Sequence, residues 1–290
     1  MKEDTTFDIF SSYVLAEGED SLSELLDEWA EQVVESEDYG FERGLLGLGW
    51  LIAFLIDKEF MSGDPDEILE DIDDAIYKLA IKEILEKDTS VDKVLDFITY
   101  YQQRLVNKAP TAHFYRRFVH FESMKLLLEK LNAFLLEGTV SNATISDKVE
   151  IVVKYSFLTK TCVSESLVEE AFYTTIEKVL DFLEEAENLD VHTLDIAKLL
   201  LCVQQYDNPH WVSRLSKLLN GRRETVNVNP ISEIDCWSNL VHNFDRDNLT
   251  LPFELDCWAG AEGKKLLFTL FTNVKSFEIV KYGEKASVLI

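Results

Sequence analysis

The fold of this chain is decided by the stretch Gly40-Phe-Glu-Arg-Gly44-Leu-Leu-Gly47-Leu-Gly49-Trp50-Leu-Ile-Ala-Phe-Leu-Ile56. Four glycines in ten residues run directly into an apolar helix. A glycine inside a helix costs roughly 0.5–1 kcal/mol relative to alanine. A chain that carries several there needs its backbone to approach a neighbour closely. The stretch therefore predicts a glycine-lined turn that opens a buried helix.

This turn does not match the known phosphate-binding loops. It lacks the Lys-Ser/Thr pair of a P-loop. Both the P-loop and the dinucleotide fingerprint follow a strand, and no strand is predicted before this turn. The pattern indicates close packing between helices.

Helical periodicity continues along most of the chain. A first apolar stripe lies between Ser21 and Val34. Further helices are predicted after Asp64 and over 90–105, 110–136, 146–158, 164–187, 193–206 and 209–219, with Asp64, Ser146, Ser164 and Asp207 or Asn208 as candidate caps. Short turns between the helices favour an all-α fold of antiparallel helix hairpins, arranged as an α/α toroid or partial toroid. We expect a single domain over residues 1–290, with a short extended segment or small hairpin at 275–290.

The helix after Pro65 carries four carboxylates on its polar side, those of Glu70, Asp71, Asp73 and Asp74. They lack the alternating pattern of a calcium loop. A solvated helix face near a positive helix N-terminus explains them better than a cation site.

Composition narrows the functional classes. The 290 residues are 47% hydrophobic, enough for a substantial core, and 28 Lys and Arg against 54 Asp and Glu give a formal charge of −26. A field of that sign repels nucleic acids and anionic membrane surfaces, and it attracts basic peptides or proteins. The sequence shows no secretory signal and no apolar run long enough to cross a bilayer. Its four cysteines do not suggest a disulfide framework, so we expect a cytoplasmic protein.

Two segments carry a family resemblance. Residues 44–55 and the stretch Ser62-Gly63-Asp64-Pro-Asp-Glu-Ile-Leu-Glu-Asp-Ile-Asp73 resemble a repeat of the lanthionine synthetase C-like family, over about 40 residues. The resemblance implies an α/α toroid whose inner helices begin at glycine-containing turns. It also implies a role in peptide modification.

The zinc ligands of active family members are not matched here. Those members bind zinc through a cysteine in a Cys-x-Gly-type turn and a later Cys-His pair, and this sequence contains no Cys-His dipeptide. The resemblance thus implies a catalytically degenerate protein that binds a peptide or a peptide-modifying enzyme, and the negative charge of the chain favours a basic partner. We assign no catalytic, cofactor-binding or metal-ligating residue and expect no cofactor.

Two alternatives remain. The triplets Asp235-Cys236-Trp237 and Asp256-Cys257-Trp258 nearly repeat each other, and with Cys202 and His242 or His210 they offer thiolate and imidazole ligands for zinc. Cysteine beside tryptophan more often packs in a core. A zinc-dependent peptide cyclase with an atypical site is the first alternative. A generic helical interaction adaptor is the second.

A small basic island stands out in this acidic chain. Arg116 and Arg117 lie between His113 and His120, which are two helical turns apart. The island could receive an acidic peptide, but pairing with acidic residues of neighbouring helices is the favoured interpretation.

Overall fold

The computed structural model describes residues 5–15, 19–107, 114–136, 143–158, 165–186, 192–203, 206, 208–220, 250–253, 261–273 and 278–281. The chain divides into two compact units, residues 1–137 and residues 138–290. Two compact units can belong to one domain or to two, so the single domain over residues 1–290 stays a prediction.

The described residues of the first unit form helices joined by short turns. In chain order these are α1 (Thr6–Val14), α2 (Glu19–Ser36), α3 (Leu45–Asp57), α4 (Pro65–Ile68), α5 (Glu70–Leu85), α6 (Val91–Val106) and α7 (Phe114–Leu136). Helix α3 packs against α1, α2, α5 and α6, and α7 packs against α5 and α6. The predicted buried helix is therefore the central helix of this unit.

The glycines of α3 allow two close approaches. A Cβ on Gly47 would overlap the carbonyl oxygen of Phe41 and the hydroxyl of Thr6. That hydroxyl donates to the Phe41 carbonyl at 2.7 Å, which fastens the start of α1 to the turn before α3. A Cβ on Gly49 would lie 2.9 Å from the ring of Tyr100 on α6. These contacts confirm that the glycine turn opens a buried helix which neighbouring backbone approaches closely.

The helix starts follow from local capping. Thr5 and Asp8 form a reciprocal capping box at α1, and the Ser90 hydroxyl accepts from the amide of Lys93 at the start of α6. Asp64 caps α4, as predicted, by accepting from the Asp66 amide at 2.9 Å.

Helix α4 ends after one turn, and α5 begins separately at Glu70. The Leu69 amide still donates to the Pro65 carbonyl, but Leu69 departs from helical geometry and redirects the chain. This break separates Ile68, which is exposed, from the apolar face that α5 buries.

The second unit is organised around α8. Its helices are α8 (Ile145–Leu158), α9 (Glu165–Glu185), α10 (Thr193–Val203), α11 (Pro209–Asn220) and α12 (Ala261–Asn273). Helix α8 packs against α9, α10 and α12, and its middle residues from Ile151 to Ser156 are all buried.

Capping in the second unit follows the sequence prediction in part. Asn208 caps α11 by accepting from the His210 amide at 3.1 Å. The prediction that Ser146 caps α8 is wrong. Thr144 is the cap, because it forms a reciprocal capping box with Asp147, and the Ser146 hydroxyl instead donates to Asp195.

Two short strands accompany these helices. Strand β1 (Thr250–Phe253) pairs in parallel with β2 (Glu278–Lys281), with Thr250 opposite Glu278. Strand β2 lies within the segment expected to be extended at 275–290. Its partner comes from earlier in the chain, and residues 286–290, the other arm of the expected hairpin, lie outside the described residues.

Helices dominate both units, so the predicted all-α class is confirmed. Among the helices that the structure describes, none is both long enough and apolar enough to cross a membrane.

The close approach at Gly47 predicts the effect of adding one methyl group. Gly47→Ala is expected to lower the free energy of unfolding by about 2 kcal/mol, because overpacking against Phe41 outweighs the gain in helix propensity. Urea denaturation followed by far-UV circular dichroism measures the change. Gly40→Ala is the control, because its added Cβ would meet only the movable side chain of Asp38, at 3.2 Å. Equal stability of the two variants would contradict the close approach.

Candidate functional site

A buried ionic cluster joins α5, α6 and α7. Asp73, in the first turn of α5, is 3% exposed. Its carboxylate forms a bidentate ion pair with Arg104, which lies in the last turn of α6. Arg104 Nε donates to Oδ1 at 3.0 Å, and Nη2 donates to Oδ2 at 2.8 Å. Arg104 Nη2 also donates to Asp66 at 2.8 Å. Asp73 and Arg104 each lie at the helix end whose dipole stabilises their charge, since helix N-termini favour acids and C-termini favour bases.

Helix α7 adds two further groups to Asp73. Arg116 Nη1 lies 3.2 Å from Asp73 Oδ2, and its Nη2 lies 3.3 Å from Glu70. The buried His120 ring places Nε2 3.6 Å from the same oxygen of Asp73, beyond hydrogen-bond length. The hydroxyl of Tyr100, from α6, donates to Oδ1 of Asp73.

The electrostatics of the cluster follow from burial and charge. Burial alone would raise the pKa of the Asp73 carboxyl, but the His120 ring and the Arg104 guanidinium outweigh it and hold the pKa below its usual value. Burial and the charge of Asp73 raise the pKa of Tyr100 well above its ordinary value. Burial would lower the pKa of Arg104, but Asp73 more than offsets this. Asp73 is thus ionised, Arg104 is charged and Tyr100 is a neutral donor at neutral pH.

The arrangement of the cluster favours a structural role, holding α7 in place, over a catalytic one. Both oxygens of Asp73 already accept hydrogen bonds from side chains of the protein itself, and the carboxylate is closed to solvent. Arg116 and His120 hold the first turns of α7 against Asp73 of α5, and the His120 ring also contacts the ring of Tyr101 on α6. The cluster therefore fixes where the outer surface of α7 points.

That outer surface carries an unusual group of aromatic side chains. We call it the aromatic face of α7, and it consists of Phe114, Tyr115, Phe118 and Phe121. Their side chains are 72%, 82%, 52% and 39% exposed, in that order. The rings of Phe114 and Phe118 stack with centroids 6.4 Å apart. Contiguous exposed apolar surface of this kind marks interaction sites.

The structure corrects one part of the sequence interpretation and confirms another. Glu70, Asp71 and Asp74 lie on a solvated face, as expected, but the prediction that Asp73 lies there too is wrong, because Arg104 and Arg116 bind it inside. Pairing with acidic neighbours is confirmed for Arg116.

The other arginine of the basic island, Arg117, is not paired in the same way as Arg116. Arg117 is exposed and forms no ion pair with any residue that the structure describes. His113 lies outside the described residues.

Sequence reasoning missed Arg104 and the aromatic face. An arginine on the apolar face of the amphipathic helix α6 was an available signal for a buried ion pair. The spacing of Phe114, Phe118 and Phe121 was also visible. However, apolar residues lie on both sides of α7, so periodicity alone does not say which side is buried.

The zinc candidates remain untested as a set. Cys202 is buried in α10, and burial raises the pKa of its thiol to about 12, which disfavours the thiolate that zinc binds. Cys236, His242 and Cys257 lie outside the described residues, whereas His210 is exposed in the first turn of α11. Within the described part of the chain, no group of three or more His, Cys, Asp or Glu side chains is arranged to hold a metal ion.

Comparison with known proteins adds no assignment. No protein family matches this sequence, and neither a curated protein nor a solved structure matches it.

The cluster predicts a large effect of neutralising its carboxylate. Asp73→Asn is expected to lower the free energy of unfolding by about 3 kcal/mol, because it leaves the Arg104 charge buried without its main counter-charge. Urea denaturation measures the loss. Asp74→Asn removes the same charge one residue away, at an exposed position, and is expected to change stability by less than about 0.5 kcal/mol. A comparable loss in both variants would contradict the buried role of Asp73.

The lowered pKa of Asp73 also predicts how stability depends on pH. A carboxyl whose pKa is lower in the folded state stabilises the protein above the unfolded-state pKa, near 3.8, and this stabilisation is lost as pH falls through the folded-state pKa. The difference in unfolding free energy between the unaltered protein and Asp73→Asn should therefore be constant above about pH 5 and shrink below about pH 4. A difference that does not change down to about pH 2.5 would contradict the lowered pKa.

Proposed function

We propose that this chain is a non-catalytic helical interaction protein that binds a protein partner through the aromatic face of α7. The observation that carries the proposal is the exposure of four large aromatic side chains on one side of a single helix. Aromatic residues are enriched in protein interfaces, and they supply much of the binding energy there.

The buried cluster supports this proposal. Arg116 and His120 lie on the side of α7 opposite Phe118 and contact Asp73. Because they fasten the helix to the first unit, the aromatic face is held in place before a partner arrives. Such preorganisation lowers the conformational cost of binding.

The sequence resemblance suggests a setting for this binding. In the lanthionine synthetase C-like interpretation, the partner is a peptide or a peptide-modifying enzyme, the helices belong to an α/α toroid, and the protein acts in the cytoplasm. We retain these as parts of the proposal. The zinc-dependent cyclase has less support, because Cys202, the cysteine of its ligand set that the structure describes, is buried and the pKa of its thiol is raised. The generic adaptor differs from our proposal only in the partner.

Site-specific photo-crosslinking tests the proposal. A photoreactive phenylalanine analogue replaces Phe118 in cells that make the protein naturally, and the products are identified by mass spectrometry. The expected result is a dominant crosslink to one protein or peptide, because the aromatic face is the binding surface.

Val34, which is 69% exposed on α2, is the matched control position. Crosslinks from Phe118 that match those from Val34 would overturn the proposal. A crosslink from Phe118 to residues 138–290 of the same chain would overturn it too, since the face would then be covered internally.

A further inference from the structure

The aromatic face has the spacing of a coiled-coil seam. Phe114, Phe118 and Phe121 are separated by four residues and then by three. That is the spacing of successive d, a and d positions in a heptad, where two helices meet side by side. The rings of Phe114 and Phe118 lie one above the other along the helix, with centroids 6.4 Å apart, so the two side chains project on the same side.

The charges beside this seam differ from those of the whole chain. The formal charge of the protein is −26, so most of its surface repels a second copy. The outer side of α7 carries Arg117, Glu122, Lys125 and Glu129, two charges of each sign. These four charges sum to zero, so they add no like-charge repulsion of their own when a second copy approaches this aromatic surface.

Two of these charges are placed to pair between copies. With Phe118 at position a, Arg117 takes position g and Glu122 the following position e. In a parallel two-stranded coiled coil, a g residue faces the e residue five positions later in the partner helix. Neither Arg117 nor Glu122 forms an ion pair with any other residue that the structure describes.

We propose that the partner bound by the aromatic face is a second copy of this chain. The two α7 helices lie side by side and parallel, Phe114, Phe118 and Phe121 form the seam, and Arg117 of each copy pairs with Glu122 of the other. This inference rests on the proposed function, because it concerns the same face, but it names a second copy as the occupant in place of the peptide or peptide-modifying enzyme that the family resemblance implies.

The size of the face sets the expected strength. An aromatic side chain buries about 150–250 Å² when fully covered. At the observed exposures, the four side chains offer about 400–600 Å² per copy. Stable interfaces bury about 800 Å² per partner. The dimer should therefore be weak and concentration-dependent, with a dissociation constant on the order of 10 µM.

Sedimentation equilibrium of the purified full chain tests the inference. The apparent mass should rise from 33.4 kDa towards twice that value between about 1 µM and about 200 µM, a range that brackets the expected dissociation constant. Phe118→Glu should abolish the rise, whereas Val34→Glu, which adds the same charge at an exposed site on α2, should leave it unchanged.

A charge exchange tests the proposed pairing. Arg117→Glu alone and Glu122→Arg alone should each weaken the dimer about tenfold, because each places like charges together. The double variant should recover the affinity of the unaltered protein. Lys78→Glu, an equal charge change at an exposed position on α5, should have no effect. Circular dichroism verifies that each variant is folded.

Three results would overturn the inference: a monomer at about 200 µM, a dimer that Phe118→Glu leaves intact, or a double variant that stays as weak as the single ones. These failures are distinct from failure of the proposed function. A monomeric protein whose position 118 crosslinks strongly to a different protein would overturn the dimer and support the proposed function.

Discussion

The first unit depends on one buried carboxylate and the cations that surround it. Asp73 brings a full charge into the interior, which is costly unless that charge is paired and hydrogen-bonded. The protein meets this requirement with the bidentate ion pair of Arg104 and the further ion pair of Arg116 with Asp73. Because these residues lie on three helices, the requirement becomes a geometric constraint. Helices α5, α6 and α7 must converge at one point for the charge to be satisfied.

The sequence was informative about features that depend on local chemistry. The glycine turn before α3 and the caps at Asp64 and Asn208 involve residues close to one another in the chain, so their pattern can be recognised without knowledge of the fold. The cap of α8 shows the limit of such reading. Thr144 and Ser146 are both good capping residues, and only the reciprocal contact with Asp147 distinguishes them.

Features that depend on residues far apart in the chain could not be predicted from the sequence. In the sequence, Asp73 is surrounded by carboxylates that are exposed in the structure. It can be buried because Arg104, 31 residues later in the chain, forms an ion pair with it. The aromatic face was hidden for a related reason. When both sides of a helix such as α7 are apolar, the side that becomes core is decided by its neighbours. The candidate site is thus largely a product of tertiary structure.

The glycines of α3 and the ionic cluster are in physical contact through the side chain of Tyr100. Gly49 leaves room for the ring of Tyr100, and the hydroxyl of that ring donates to Asp73. A change at residue 49 is therefore transmitted through one rigid ring to a carboxylate 24 positions later in the chain. Substitutions at Gly49 and Asp73 are expected to be energetically coupled, so that their combined effect on folding departs from the sum of their separate effects. Sequence changes tolerated at one of these positions consequently depend on the residue that occupies the other.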